Sequence, residues 1–103
     1  MSNLYSEEAL RELAIKSQNL IHLVEEKQRN VCRIVIDHMK ELKILYPSFA
    51  ERANKMITDM ENLYEVIEWT ESTGDDPTQW YEIVDYNIRN AYGSLFKIFL
   101  ENL

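Results

Sequence analysis

The chain is poor in everything that breaks a helix. Of its 103 residues, two are glycine (Gly74 and Gly93) and two are proline (Pro47 and Pro77). Turns must therefore be few and the elements between them long. A single cysteine, Cys32, excludes an internal disulfide and a cysteine-built metal site. It makes a reducing compartment, the cytoplasm, the expected location. Cys32 stands between Val31 and Arg33 in an apolar helical stretch and is expected to be a buried packing thiol. No run approaches the ~18 apolar residues that span a bilayer. The amphipathic segments also lack the Lys/Arg-rich polar face of an interfacial helix, so no membrane association is expected. The segment Met1 to Glu8 has no basic region followed by an apolar run, and no secretory leader is expected. The most informative absence is of positive charge. From Met56 to Ile88 there are nine acidic residues and no Lys or Arg.

Hydrophobic residues make up 46% of the chain and charged residues 28%, which describes a globular domain rather than a disordered one. The length suits one domain over residues 1–103. Its apolar residues recur at three- and four-residue steps, without sustained alternation. Leu10, Leu13, Ser17, Leu20 and Val24 form one such series. Val31, Val35, Met39, Leu42 and Tyr46 form a second. Ser6, followed by Glu7 and Glu8, has the pattern of an N-cap with acid in the first turn. Nothing between Val24 and Val31 is a helix breaker. Two arrangements satisfy this pattern: one continuous helix over about residues 6–45, or two helices with a bend near residues 28–30. The stepping stays in phase through Gln28, which favours the continuous helix.

The first clear stop is Tyr46-Pro47-Ser48, because the residue before proline is pushed out of the helical region. Ser48 is expected to cap the next helix. Phe49, Ala53, Met56, Met60, Leu63, Tyr64 and Ile67 then form a stripe running to about Glu71. The second stop runs from Ser72 to Pro77, where Gly74 can take the left-handed conformation. Asp76-Pro77 reads as a cap and a first-turn proline. The last helix extends to about Glu101 with Trp80, Val84, Ile88, Ala91, Leu95 and Ile98 inward, and Phe96 and Leu100 near its other side. The expected fold is all-α: an antiparallel bundle of three long helices, or four if the first bends near 28–30. A continuous first helix would outrun its neighbours. Its uncovered stripe would then call for a second copy, a homodimer.

No catalytic residues, cofactor site or metal site are predicted. His22 and His38 have no Ser or Cys partner at a spacing that would build a nucleophile and base. There is no His-Glu-x-x-His, no Glu-x-x-His and no glycine-rich phosphate loop. Arg33-Ile34-Val35-Ile36-Asp37-His38 resembles the Arg-to-His spacing of the HEPN ribonucleases, although Ile34 replaces the usual polar residue. Arg89-Asn90 resembles the start of the same motif, with no His after it. That resemblance would imply a helical ribonuclease or its relic, with His38 in the site. Direct nucleic-acid binding is disfavoured by a net charge of −7.

The charge is segregated. Residues 1–55 carry a net +1, residues 56–88 a net −9, and residues 89–103 a net +1. Glu61, Glu65 and Glu68 share one face of the second long helix, away from its apolar stripe. Glu71, Asp75 and Asp76 extend the acid to the turn, and Glu82 and Asp85 begin the polar side of the next helix. Aromatics are interleaved, with Trp69 off the main stripe and Tyr86 on the polar face. Tyr64 and Trp80 are assigned to the core. Aromatic anchors among uniform charge suit a protein-binding surface. Small acidic helical bundles of this kind look like the immunity proteins, or antitoxins, that neutralise toxin nucleases, and like phage-encoded anti-defence inhibitors. The expected function is therefore a non-enzymatic inhibitor that acts as a nucleic-acid mimic. It would bind a basic partner, a toxin nuclease or nucleic-acid-binding effector, through Glu61, Glu65, Glu68, Trp69, Glu71, Asp75, Asp76, Glu82, Asp85 and Tyr86. A structural or adaptor oligomer is the alternative.

Overall fold

A computed structural model describes residues 4–103. Four helices succeed one another along the chain: α1 (Glu7–Glu25), α2 (Val31–Leu45), α3 (Ala50–Ser72) and α4 (Thr78–Asn102). A 3₁₀ turn, Pro47–Phe49, leads into α3. No strand occurs among the described residues. The predicted all-α bundle is present, in its four-helix form.

The preferred continuous first helix is not. The chain breaks between Glu25 and Val31, and the cause is visible in the backbone. Lys27 adopts a positive φ of 54°. The Lys27 amide donates to the Val24 carbonyl, and the Gln28 amide donates back to the Leu23 carbonyl. This is the Schellman closure of a helix C-terminus, in which the left-handed residue is usually glycine. Here a lysine takes the position at a steric cost of about 1–2 kcal/mol. The reversal lets the two apolar stripes meet: Leu20, Ile21 and Val24 of α1 and Val31, Val35 and Met39 of α2 enter one core. A straight helix would leave half of that surface in water, so core burial outweighs one strained residue. The same reversal removes the premise for the homodimer, because the stripe of α1 is covered within the chain.

The α3–α4 turn closes in the same way with the residue that suits it. Gly74 has φ +83°, its amide donates to the Glu71 carbonyl, and the Asp75 amide donates to the Thr70 carbonyl. The expected cap is displaced by one residue: Pro77 is the N-cap of α4, which has no side-chain cap, and Asp76 lies just before it, its Oδ1 accepting from the Thr78 amide at 3.0 Å and from the Thr78 hydroxyl at 2.6 Å. The Ser6 cap is also formed, with the Ala9 amide donating to Ser6 Oγ at 3.1 Å. Ser48 does not cap α3. It lies inside the 3₁₀ turn, and α3 starts at Ala50 without a side-chain cap.

The helices run up, down, up and down. At one end, Tyr81 of α4 donates its hydroxyl to the Lys27 carbonyl, and Arg29 donates to Glu71 of α3. At the other end, the rings of Tyr5, Tyr46 and Phe99 meet, and Tyr46 donates its hydroxyl to the Leu4 carbonyl. Both Schellman turns thus lie at the first end, the turn end. Cys32 is fully buried near it, as expected. Tyr64 and Trp80 are only half-buried and pack on the edge of the core. Phe96 packs against the core as well, while Leu100 remains exposed.

One polar pair, the half-buried His38 and the buried Tyr92, crosses the bundle. His38 of α2 stacks on Tyr92 of α4, and its Nδ1 lies 2.6 Å from the Tyr92 hydroxyl. Burial holds the Tyr92 phenol well above its ordinary pKa, so it stays neutral. The neutral phenol and the imidazole share this one hydrogen bond. Burial, reinforced by Lys16 and opposed by Glu41, lowers the His38 pKa below its ordinary value. Protonation is therefore harder in the folded state than in the unfolded chain. Stability from this group is complete above the ordinary histidine pKa and is lost as pH falls through it, levelling off below the lowered folded value. Denaturation midpoints should drop over that acidic window, and His38→Gln should flatten the drop by up to one proton's worth of slope. Identical slopes in the two proteins would refute this role for His38.

Candidate acidic interface at the turn end

The acidic segment is distributed over α3, the Gly74 turn and the first turns of α4, and the tertiary structure sorts it into groups. At about 100° per residue, Trp69 falls opposite the buried Met60, and it is 66% exposed. Trp69, Asp75, Asp76 and Glu82 come together in a groove of about 640 Å³ between the end of α3 and the start of α4, with Trp80 and Thr78 on its far wall. Helical spacing assigns Trp80 to the core and misses its place here. The signal is its position: it sits on the α3-facing flank of α4, one turn after the cap.

Glu68 and Glu71 point elsewhere. Arg29, from the bend between α1 and α2, lies 3.0 Å from Glu71 and 3.9 Å from Glu68. Its guanidinium also stacks over Tyr64 at 5.2 Å, beside Arg33 over the same ring at 4.4 Å. The absence of local cations around this acid is thus partly made up from another helix. Pairs this exposed contribute about 0–1 kcal/mol each, so their main effect is to neutralise one flank. Glu61 and Glu65 are exposed on α3, on the face they share with Glu68.

Asp85 is paired to Arg89 at 2.9 Å and lies in a separate groove of about 350 Å³ on the α1 side of α4, where Glu82 also appears. Tyr86 is 66% exposed and borders a third groove with Arg52, Lys55 and Asp59. It is therefore in mixed-charge surroundings, away from Trp69. Asp59, within the same acidic segment, is bonded to Lys55 at 3.0 Å.

Among the described residues, no Lys or Arg forms an ion pair with Glu61, Glu65, Asp75, Asp76 or Glu82. Lys27 comes near the groove, but it donates to the Thr78 hydroxyl at 2.8 Å and acts on Asp76 only at longer range. Hydrogen bonds from the Thr78 side chain and amide hold the Asp76 carboxyl below the usual carboxylate range, so it stays charged under mildly acidic conditions. The Thr73 hydroxyl donates to the Thr70 carbonyl at 2.9 Å and lies 3.4 Å from Asp75 Oδ2. The groove thus combines carboxylates without cationic partners and an exposed indole.

No family model matches the chain, and no curated protein or solved structure matches it either. The functional reading rests on the geometry alone.

The Arg33-to-His38 pair does not converge. Five residues on a helix turn about 140° apart, and the two side chains meet different neighbours. Arg33 lies over Tyr64 of α3, whereas His38 meets Tyr92 of α4. Arg89 is bonded to Asp85. No group of three His, Cys, Asp or Glu side chains among the described residues is arranged to hold a metal ion. No helix is long and apolar enough to cross a membrane.

Proposed function

We propose that the protein is a non-enzymatic inhibitor, of the immunity or anti-defence type, that neutralises a basic, nucleic-acid-handling protein through its turn end. The observation that carries this reading is the 66% exposure of Trp69 beside Asp75, Asp76 and Glu82, with which no Lys or Arg among the described residues forms an ion pair. An indole left in water loses the burial energy that a large aromatic would otherwise supply. Placed at the centre of a partner contact, it becomes an anchor, and the carboxylates around it attract a basic surface and speed encounter. Carboxylates along α3 and the turn can occupy positions where the partner expects phosphates. Glu68 and Glu71 are secondary in this reading, since Arg29 already holds them.

Affinity capture from the source cell, with the charge-reversed variant Glu65→Lys, Glu68→Lys, Asp75→Lys and Asp76→Lys alongside, tests the proposal. The wild type should retain a basic protein, and the variant should lose it by two orders of magnitude or more at low salt. Equal retention by the two proteins sinks the proposal. An adaptor or structural oligomer is the second reading. It draws on Ile44, Leu45, Leu100 and Leu103, which are exposed on the last turns of α2 and α4. It expects capture of further copies of the chain, indifferent to those four charges.

A further inference from the structure

The groove between α3 and α4 has walls of a particular chemistry, and a second place in the molecule shows what that chemistry holds. On the α2 flank, two guanidinium groups, Arg29 and Arg33, lie over the face of Tyr64, and Glu68 and Glu71 sit alongside Arg29. The ring face supplies negative potential to the flat cation, and the carboxylates supply directional acceptors. On the α4 flank the same parts recur without the cation. Trp69 and Trp80 replace the tyrosine, Asp75 and Glu82 replace the glutamates, and the volume is about 640 Å³. Tryptophan is the strongest of the aromatic partners for a cation. Arg29 and Arg89 are engaged outside this groove, with Glu71 and Asp85, and Lys27 reaches only its wall, where it donates to the Thr78 hydroxyl.

We infer that this groove is a binding site for an arginine side chain presented by a basic protein partner, with the guanidinium on the indole of Trp69 or Trp80 and bonded to Asp75 and Glu82. This deepens the proposed function and rests on it for the identity of the partner, but the site can be tested alone. Arginine is favoured over lysine because its planar cation both stacks and forks onto carboxylates, whereas an ammonium does neither as well. Asp76 adds charge, but its Oδ1 is already engaged by the Thr78 amide and hydroxyl.

The chain contains two tryptophans, and both line this groove, so intrinsic tryptophan fluorescence reports on it without a label. The probe is the blocked peptide Gly-Arg-Gly at low ionic strength, with blocked Gly-citrulline-Gly as its neutral match and Gly-Lys-Gly as the ammonium match. The arginine peptide should change the emission saturably in the low-millimolar range or tighter, and the citrulline peptide should not. The lysine peptide should bind several-fold more weakly. Asp75→Asn with Glu82→Gln should weaken the arginine peptide at least fivefold, and Trp69→Ala should weaken it by a similar factor as read from the remaining Trp80. All these positions are on the groove surface, and unchanged helical melting will show that the variants fold. The inference is overturned by a silent titration, by an equal response to the citrulline or lysine peptide, or by unaltered binding in the Asp75/Glu82 variant. If the peptide is silent while charge reversal still abolishes partner capture, the groove assignment falls and the acidic interface stands. If the peptide binds while the captured partner ignores charge reversal, the groove stands and the proposed function falls.

Discussion

Phe99→Ala should destabilise the protein by about 3 kcal/mol, the lower part of the range for removing a buried aromatic ring. Domains of this size are stable by only about 5–15 kcal/mol, so a single ring near the end of the chain would carry a large share. The reason is its position. Phe99 is buried in the last turns of α4, with Tyr5 edge-on at 5.3 Å and Tyr46 at 5.1 Å. Those rings tie down the segment before α1 and the end of α2, which Tyr46 reinforces through its bond to the Leu4 carbonyl. Removing the ring therefore loosens three elements together. The cost stays at the lower end because Phe99 already borders an open groove of about 280 Å³, which water can enter to fill the vacated space. Leu100→Ala, one residue on and exposed, should change stability by no more than about 0.5 kcal/mol. Urea denaturation of the two variants measures the contrast, and a loss below ~1 kcal/mol for Phe99→Ala would show that the cluster does not hold that end.

The Cys32 thiol should be protected from a charged disulfide reagent by at least ~10³-fold relative to the denatured chain. Two effects combine. Burial pushes the thiol up to about 11, because the thiolate would have to form inside the core. At pH 8 about one in a thousand such thiols is ionised, against about one in four for an ordinary cysteine. The residue is also fully buried, so the reagent reaches it only when the bundle opens. With no other cysteine in the chain, the rate of labelling becomes a direct measure of opening. Phe99→Ala should lose most of the protection if the two ends of the bundle unfold cooperatively. Labelling of the native wild type within a factor of ten of the denatured rate would contradict the placement of Cys32 in the core.

The parts of this molecule that are legible without its structure are those written in neighbouring residues. Ser6 caps α1 through the amide three residues on. Gly74 takes a left-handed turn because it has no Cβ to clash, and Asp76 bonds to Thr78 two residues on, just ahead of α4. The spacing of apolar residues places nearly every core position on the right face, since helical geometry alone decides which side chains share a side. Trp69 is recognisable as an outward aromatic for the same reason.

The bend at Lys27 is not legible, although it is the same turn as the one at Gly74. Nothing local favours a left-handed lysine. The conformation is imposed from outside, by the burial gained when α1 and α2 fold into one core rather than extending as one rod. Its consequence reaches the candidate interface. The reversal carries Arg29 onto Glu68 and Glu71 and so divides an acidic surface that is uninterrupted in the sequence. It also sets Lys27 against Thr78, and among the described residues Asp75 and Glu82 form no ion pair. The sequence by itself determined the helices, their inward faces and where the acid lies along the chain, because these depend on covalent spacing. Which acids are neutralised, and that Trp80 joins Trp69 in one groove, only the tertiary structure decided, because both depend on which helices come to lie side by side.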